Sequence, residues 1–110
     1  MNGLYGQLSP DAGVLTKATT SAPPAGKVRQ VVIGVCNTLR DSGVEICIAV
    51  STAISADAVA AVAPYKSFGR KIDAGGEYER PVVLGEGENV YVKSNKAGVA
   101  FDIRGFEGAA

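Results

Sequence analysis

Apolar and polar residues alternate along short runs of the chain, which is typical of half-buried antiparallel β-strands. The alternation is clearest near the C-terminus, where Val99, Phe101 and Ile103 point to one side of a predicted strand and their neighbours point to the other. Glycine and β-branched residues recur too often for a long helix. The pattern therefore predicts an all-β fold, an antiparallel β-sandwich of jelly-roll-like type.

Turn signals divide the chain after residue 26 into six predicted strands, and one further strand is predicted over residues 14–20. About seven strands at this spacing are the signature of a sandwich or jelly roll. Any helix is expected between Ser51 and Pro64. The six strands are predicted over residues 28–37, 44–52, 66–72, 78–84, 89–94 and 99–106.

Residues 1–26 are predicted to form an extended N-terminal arm, and residues 27–110 the β-sandwich of a single-domain protein. Glycine and proline are too frequent in the first segment for long regular structure. Its isolated apolar residues are therefore interpreted as contacts with a neighbouring subunit. The candidate contact residues are Leu4, Tyr5, Leu8, Val14 and Leu15.

The two strands that contain Cys36 and Cys47 are predicted to pair as a hairpin through a tight turn at Asp41-Ser42. When both β-branched faces point to the core, the two cysteines lie opposite each other on the second face. That small apolar face is either a second core layer, covered by the arm or the alanine-rich loop, or a surface covered by another chain. Reduced thiols are favoured over a Cys36–Cys47 disulfide, because cross-strand bridges are often strained and the cytosol is reducing.

Composition argues against several functions. Eleven Lys and Arg balance eleven Asp and Glu, whereas nucleic acids and anionic membranes bind clustered basic residues. The chain has no His, so it lacks the commonest general base and metal ligand. We therefore expect no catalytic residue, metal, cofactor or small-molecule substrate. With no visible signal peptide or membrane span, synthesis in the cytoplasm is expected.

Two groups of charged residues suggest chemistry but have simpler interpretations. The run Gly85-Glu86-Gly87-Glu88 resembles part of a phosphate or calcium loop. It lacks the third glycine, the lysine and the following helix of a phosphate loop and the ligand spacing of a calcium loop, so it is interpreted as a turn. Together with Glu77 and Glu79 it offers paired carboxylates for glycoside chemistry, although charged residues beside strands usually form a solvated edge. Scattered basic residues are interpreted as solvated faces or intersubunit salt bridges: Arg29, Arg40, Lys66, Arg70, Lys71 and Arg80.

The order of features along nearly the whole chain is informative. An apolar strand, VVIGVCN, ends at Asn37; a second one, ICIAVST, follows; then come GEYER, the turn GEGEN and a closing GFEG. This order resembles a group of small β-sandwich virion structural proteins of tailed phages, found as capsid decoration proteins and as modules of tail fibres. The alanine-rich segment from Ile54 to Ala63 is longer than that pattern and is expected to be a contact loop.

The resemblance implies a non-catalytic protein present in many copies in the virion after synthesis in the host cytoplasm. The leading expectation is a capsid decoration (cement) protein that bridges capsid subunits, with the major capsid protein and copies of itself as partners. The alternative is a tail, collar or fibre subunit. A stand-alone carbohydrate-binding module is the least favoured, because the chain has only seven Phe and Tyr residues.

Overall fold

The computed structural model describes residues 2–60 and 64–109. Within them the chain forms eight strands in two antiparallel sheets, which confirms the predicted all-β sandwich. The helical content of this part is one 3₁₀ turn, Ala56–Ala58, inside the segment where a helix was expected; no helix there is long and apolar enough to cross a membrane. The strands are β1 (Asn2–Leu8), β2 (Thr16–Lys17), β3 (Lys27–Asn37), β4 (Val44–Ser51), β5 (Tyr65–Ile72), β6 (Glu77–Leu84), β7 (Asn89–Ser94) and β8 (Val99–Ala109).

The first half of the chain pairs with the second half in reverse order. Sheet A has the order β1-β8-β3-β6, and sheet B has the order β2-β7-β4-β5. Consequently β1 lies beside β8, β2 beside β7, β3 beside β6 and β4 beside β5. Many neighbours in the sheets are therefore far apart in the sequence; Asn2, for example, lies opposite Phe106.

The core lies between the sheets and follows the period-two pattern. Ile33 of β3 and Ile46 and Ile48 of β4 are fully buried, and so are their counterparts in the later strands. Burying one such side chain stabilises the fold by roughly 1.5–3 kcal/mol relative to leaving it exposed, so this stripe supplies most of the driving force for folding. The other core residues include Val31, Val35, Val44, Val50, Ile72, Leu84, Val90, Val92, Val99, Phe101 and Ile103.

The predicted hairpin between β3 and β4 was wrong. Strand β3 pairs with β6 and β8 in sheet A, whereas β4 pairs with β5 and β7 in sheet B. Residues 38–43 cross from one sheet to the other instead of forming a tight turn. Both β-branched faces still point to the core, as predicted, but they reach it from opposite sides.

The side chain of Asn37 explains the crossing. It is fully buried at the end of β3, and its Nδ2 donates to the backbone oxygen of Ser42 at 2.9 Å. The same nitrogen donates to the oxygens of Asp73 at 3.0 Å and Ile72 at 3.3 Å. Its Oδ1 accepts from the backbone N–H of Leu39 at 3.0 Å. One amide thus ties the β3–β4 crossing to the turn between β5 and β6.

The N-terminal segment is part of the sandwich, so the boundary predicted at residue 26 does not separate an arm from it. Strand β1 forms an edge of sheet A, and β2 pairs with β7 in sheet B. The backbones of the two strands approach closely at Gly6, where a Cβ atom would collide with the carbonyl oxygen of Ala18. Deleting residues 1–12 would therefore remove a strand that covers β8.

All four edge strands are irregular or very short. Pro81 in β6 has no N–H to offer a further strand. Strand β1 has a bulge between Leu4 and Gly6, β5 pairs with two register shifts and contains Gly69 at φ 67°, and β2 is two residues long. Such features discourage edge-to-edge pairing, so contacts between molecules are expected through the faces of the sheets.

Replacing Asn37 by Ala should lower the free energy of unfolding by about 3 kcal/mol, because several buried carbonyl groups lose their donor at once. Denaturant unfolding of the variant and the unmodified chain measures the difference. Arg40→Ala, in the exposed part of the same crossing, is the matched control and should change stability by less than about 0.5 kcal/mol. Equal effects of the two substitutions would contradict the role given to Asn37.

Candidate interaction surface

The outer face of sheet A exposes large apolar side chains. Val83 is 63% exposed and Phe106 is 61% exposed, and they lie on either side of Gln30 in one row across the sheet. Together with Val32 they line a shallow concavity of about 800 Å³. An apolar surface of this kind on a folded domain marks an interaction site. The large apolar side chains exposed on this face are Leu4, Val32, Val83 and Phe106.

The other end of the same face is acidic. Asp102 lies beside Glu79 across β3, and Glu77 follows one row further along. Gly34 lies between the first two and leaves room for the Asp102 carboxylate, with which a Cβ atom at that position would collide. Asp102 accepts a hydrogen bond from Arg104 Nε at 2.9 Å, a largely exposed pair that adds little stability. The face is therefore apolar at one end and acidic at the other.

The outer face of sheet B has the opposite charge. Lys93 lies opposite Cys47, Lys71 lies opposite Glu45, and Lys17 follows from β2. These residues alternate with core residues, so their side chains point away from the core. Among the outward-pointing strand residues of this face, three lysines and one glutamate give a net positive charge.

An aromatic side chain projects from the edge of the basic face. Phe68 of β5 is 73% exposed, and its ring packs edge-to-face against Tyr65 with the centroids 5.1 Å apart. Ile54, in the alanine-rich segment, is 88% exposed. Large apolar groups are therefore exposed on both sides of the sandwich.

Part of the outer side of sheet B is covered by the chain itself. There Cys47, Ala49 and Tyr91 are buried although they point away from the sandwich core. The hydroxyl of Tyr91 donates to the backbone oxygen of Ala53 at 2.6 Å, and burial raises the pKa of this hydroxyl. The outward face of β4 is thus covered within the chain, which agrees with the interpretation of this face as a second core layer. Residues 61–63 of the alanine-rich segment lie outside the described residues.

The two cysteines lie on opposite sides of the molecule. Cys36 is exposed on the outer face of sheet A, and Cys47 is buried on the outer side of sheet B. Both thiols are free, and the sandwich core separates them. The predicted placement of the two residues opposite each other on one face was wrong, because the strands that carry them belong to different sheets.

The four glutamates singled out in the sequence are not brought together. Glu77 and Glu79 lie at the start of β6, whereas the other two belong to the turn that follows its end. In that turn Glu88 accepts from the N–H of Gly85 at 2.6 Å and Glu86 from Gly26 at 3.2 Å, so both carboxylates bind backbone groups. In residues 2–60 and 64–109, no three His, Cys, Asp or Glu side chains are placed to hold a metal ion.

Arg29 is not a solvated residue, contrary to its interpretation from the sequence. It is 5% exposed, its Nε lies 2.8 Å from Glu107, and its Nη1 donates to the backbone oxygen of Ser21 at 2.7 Å. The guanidinium also lies 4.3 Å from the ring centroid of Tyr5. Arg29 thus joins the N-terminal segment to β3 and β8.

Two further arginines lie on the edge strands β5 and β6, at positions that pair with buried core residues. Arg70 packs over the ring of Tyr78 at 4.6 Å. Arg80 pairs in register with the fully buried Ile33. Its Nε is buried, and it has no hydrogen-bond partner within the described part of the chain. A charge that points inward from an edge strand opposes further strand addition.

The candidate contacts predicted in the N-terminal segment divide into two groups. Leu4 and Val14 are exposed and Leu15 is partly exposed. Tyr5 and Leu8 pack against the core of their own chain. The five residues do not form one surface, and Leu4 alone among them belongs to the apolar face of sheet A.

The exposed apolar residues Val83 and Phe106 were missed, although the sequence contains a signal for both. Phe106 has the same parity along β8 as Asp102 and Arg104, which point outward. The consecutive residues Val82 and Val83 cannot both point inward from a strand. Apolar residues at polar positions of a strand pattern are therefore the signal for this surface.

The fold and these surfaces define an all-β sandwich with two chemically different outer faces. No family model matches the chain, and no curated protein matches it in sequence. Two crystal structures of a pentameric capsid protein isolated from metagenomic phage sequences match 94% of the chain. Their identities are 19% and 18%, with TM-scores of 0.37 and 0.36. The chain spans 60% and 65% of the length of those two proteins.

A thiol reagent should modify Cys36 in the native protein, whereas Cys47 should react only after unfolding, because its side chain is buried. Mass spectrometry should therefore detect one adduct per native chain and two per denatured chain. Cys36→Ser is the control and should remove the native adduct. A denatured chain that takes up no reagent without a reductant would instead reveal a disulfide.

Tyr91→Phe should lower the free energy of unfolding by about 1 kcal/mol, because the bond to Ala53 is lost. Hydrogen exchange should then become faster in residues 52–60. Since the pKa of Tyr91 is raised in the folded state, its contribution is complete below about pH 10 and is lost as the pH rises above that value. Denaturant unfolding at pH 8 and pH 11 should show a smaller loss for the Phe variant; equal losses would contradict this assignment.

Proposed function

We propose that this chain is a non-catalytic virion structural protein of a tailed phage, and that it acts as a decoration (cement) protein on the capsid. The observation that carries the proposal is the outer face of sheet A, where Val32, Val83 and Phe106 are exposed on a rigid sandwich. Such a surface costs solubility unless a protein partner covers it. The proposed partners are the major capsid protein and copies of the chain itself.

The arrangement of the strands supports this proposal. Eight strands in two sheets, paired in reverse order along the chain, have the connectivity of a jelly roll, an architecture that viral capsid domains use and that lectins share. Fold alone does not define function, so the surface chemistry decides between these classes. The carboxylates considered for glycoside chemistry lie apart, and those of Glu86 and Glu88 bind backbone N–H groups.

A cement role fits the size and charge of the protein. One small domain offers a limited contact area on each face, but many copies on a lattice add their contacts through a high effective concentration. A net charge of zero limits repulsion between copies that are packed side by side. The resemblance of the sequence pattern to small virion proteins of tailed phages points in the same direction.

The N-terminal segment supplies further candidate contacts. Leu4 extends the apolar face of sheet A, and Val14 is exposed in the connection between β1 and β2. Because β1 belongs to the sandwich, we propose that these residues contact a neighbour as parts of a fixed surface.

The second candidate function is a tail, collar or fibre subunit, which requires the same exposed faces. A carbohydrate-binding module is less favoured because its aromatic side chains should converge on one groove. Here the most exposed aromatic residues, Phe68 and Phe106, lie on different sheets.

Antibodies raised against the purified chain should label intact virions, and immunogold electron microscopy should place the label over the head in many copies per particle. Labelling confined to the tail would replace the cement role by the alternative. A protein that is absent from purified virions by mass spectrometry, yet abundant in the infected cell, would contradict a virion role. A glycan array with the same protein should show no binding.

A further inference from the structure

We infer that copies of this chain associate head to tail, with the outer face of sheet A of one copy against the outer face of sheet B of the next. The inference deepens the proposed structural role by naming one partner of the apolar face as a second copy. The contact is heterologous, because one copy contributes sheet A and the other copy contributes sheet B.

The shapes of the two faces support this pairing. Sheet A contains a concavity of about 800 Å³ whose lining is mostly apolar and includes Val32, Val83 and Phe106, together with Gln30 and Arg104. On the opposite side of the sandwich, Phe68 and Ile54 project with most of their surface exposed. The packing of Phe68 against Tyr65 limits the freedom of its ring before any contact forms. A constrained apolar projection facing an apolar concavity loses little entropy on docking.

The charges of the faces select the head-to-tail arrangement over a symmetric one. At the end of the face away from the concavity, sheet A carries Asp102, Glu77 and Glu79, and their charge is partly offset by Arg104 at the concavity. Sheet B carries the three lysines at positions 17, 71 and 93, partly offset by one glutamate. Two copies joined by identical faces would bring like charges together, whereas sheet A against sheet B brings opposite charges together.

The edges of the sheets leave few other routes to association. Pro81 in β6, the bulge in β1, the register shifts of β5 and the short β2 discourage strand addition. The faces therefore provide the area for self-association. A heterologous contact repeats from copy to copy, so it produces a closed ring or an open stack.

A mixing experiment with two variants tests this arrangement. Val83→Glu places a charge in the concavity, and Phe68→Glu places a charge on the projection; both positions are largely exposed, so each variant should fold. Each variant alone should be monomeric by size exclusion with light scattering at concentrations where the unmodified chain assembles. An equimolar mixture should form a heterodimer, because one intact concavity and one intact projection remain. Growth should stop at two chains, because the concavity and the projection that remain unoccupied in this heterodimer both carry the added glutamate.

Ala97→Glu is the matched control, because it adds the same charge in the exposed turn between β7 and β8 and should leave assembly unchanged. Thermal unfolding establishes that every variant is folded, and Phe106→Glu is the second concavity variant if Val83→Glu lowers the Tm.

Assembly of the unmodified chain should weaken at high ionic strength, as expected for complementary charged faces.

Several results would overturn the inference: an unmodified chain that is monomeric throughout the accessible concentration range, a mixture that forms no heterodimer, or a Phe68→Glu variant that assembles normally. If Val83→Glu blocks incorporation into virions while Phe68→Glu does not, the concavity receives a different protein and the inference fails. Head-to-tail assembly of a chain that is absent from virions would contradict the proposed function and leave the inference intact. Incorporation into virions by a chain that does not self-assemble would support the proposed function and overturn the inference.

Discussion

The buried side chain of Asn37 is the constraint on which the two-sheet arrangement depends. A buried amide is costly unless its donors and acceptor are all engaged. Here they are engaged by the crossing from β3 to β4 and by the turn between β5 and β6. The amide thus holds together two of the connections by which the chain passes from one sheet to the other. Because β3 and β4 enter different sheets, their outward residues form two separate surfaces, which then differ in charge and in shape.

The sequence was most informative where local pattern and burial agree. The strand over Asn89–Ser94 was predicted with its observed bounds, and β3 and β6 each begin one residue earlier than predicted. Strand β1 was missed because Gly3, Gly6 and Pro10 resemble the punctuation of a loop. Its stability comes from β8, about a hundred residues further along the chain, and a local pattern contains no information about such a partner.

The surface was harder to predict because it depends on which strands are neighbours. Short connections usually join adjacent strands, and this expectation led to a hairpin that placed Cys36 and Cys47 together. No feature of the sequence around Asn37 predicts that this residue is buried or that it directs the crossing. Arg29 was similarly hidden, because its partners Tyr5 and Glu107 come from opposite ends of the chain. Phe106, in contrast, could have been recognised from its parity in β8.

The position of β8 in sheet A affects how the protein is made. This strand, Val99–Ala109, lies between β1 and β3 and pairs with both. During synthesis β1 has no partner in sheet A, and β3 has only β6, until β8 has left the ribosome, so sheet A is completed only after translation of this region. Sheets with such distant pairings fold slowly, and the apolar residues of β3 stay accessible in the meantime. A cell that makes many copies at once would therefore depend on its chaperones during the interval between synthesis and closure of the sheet.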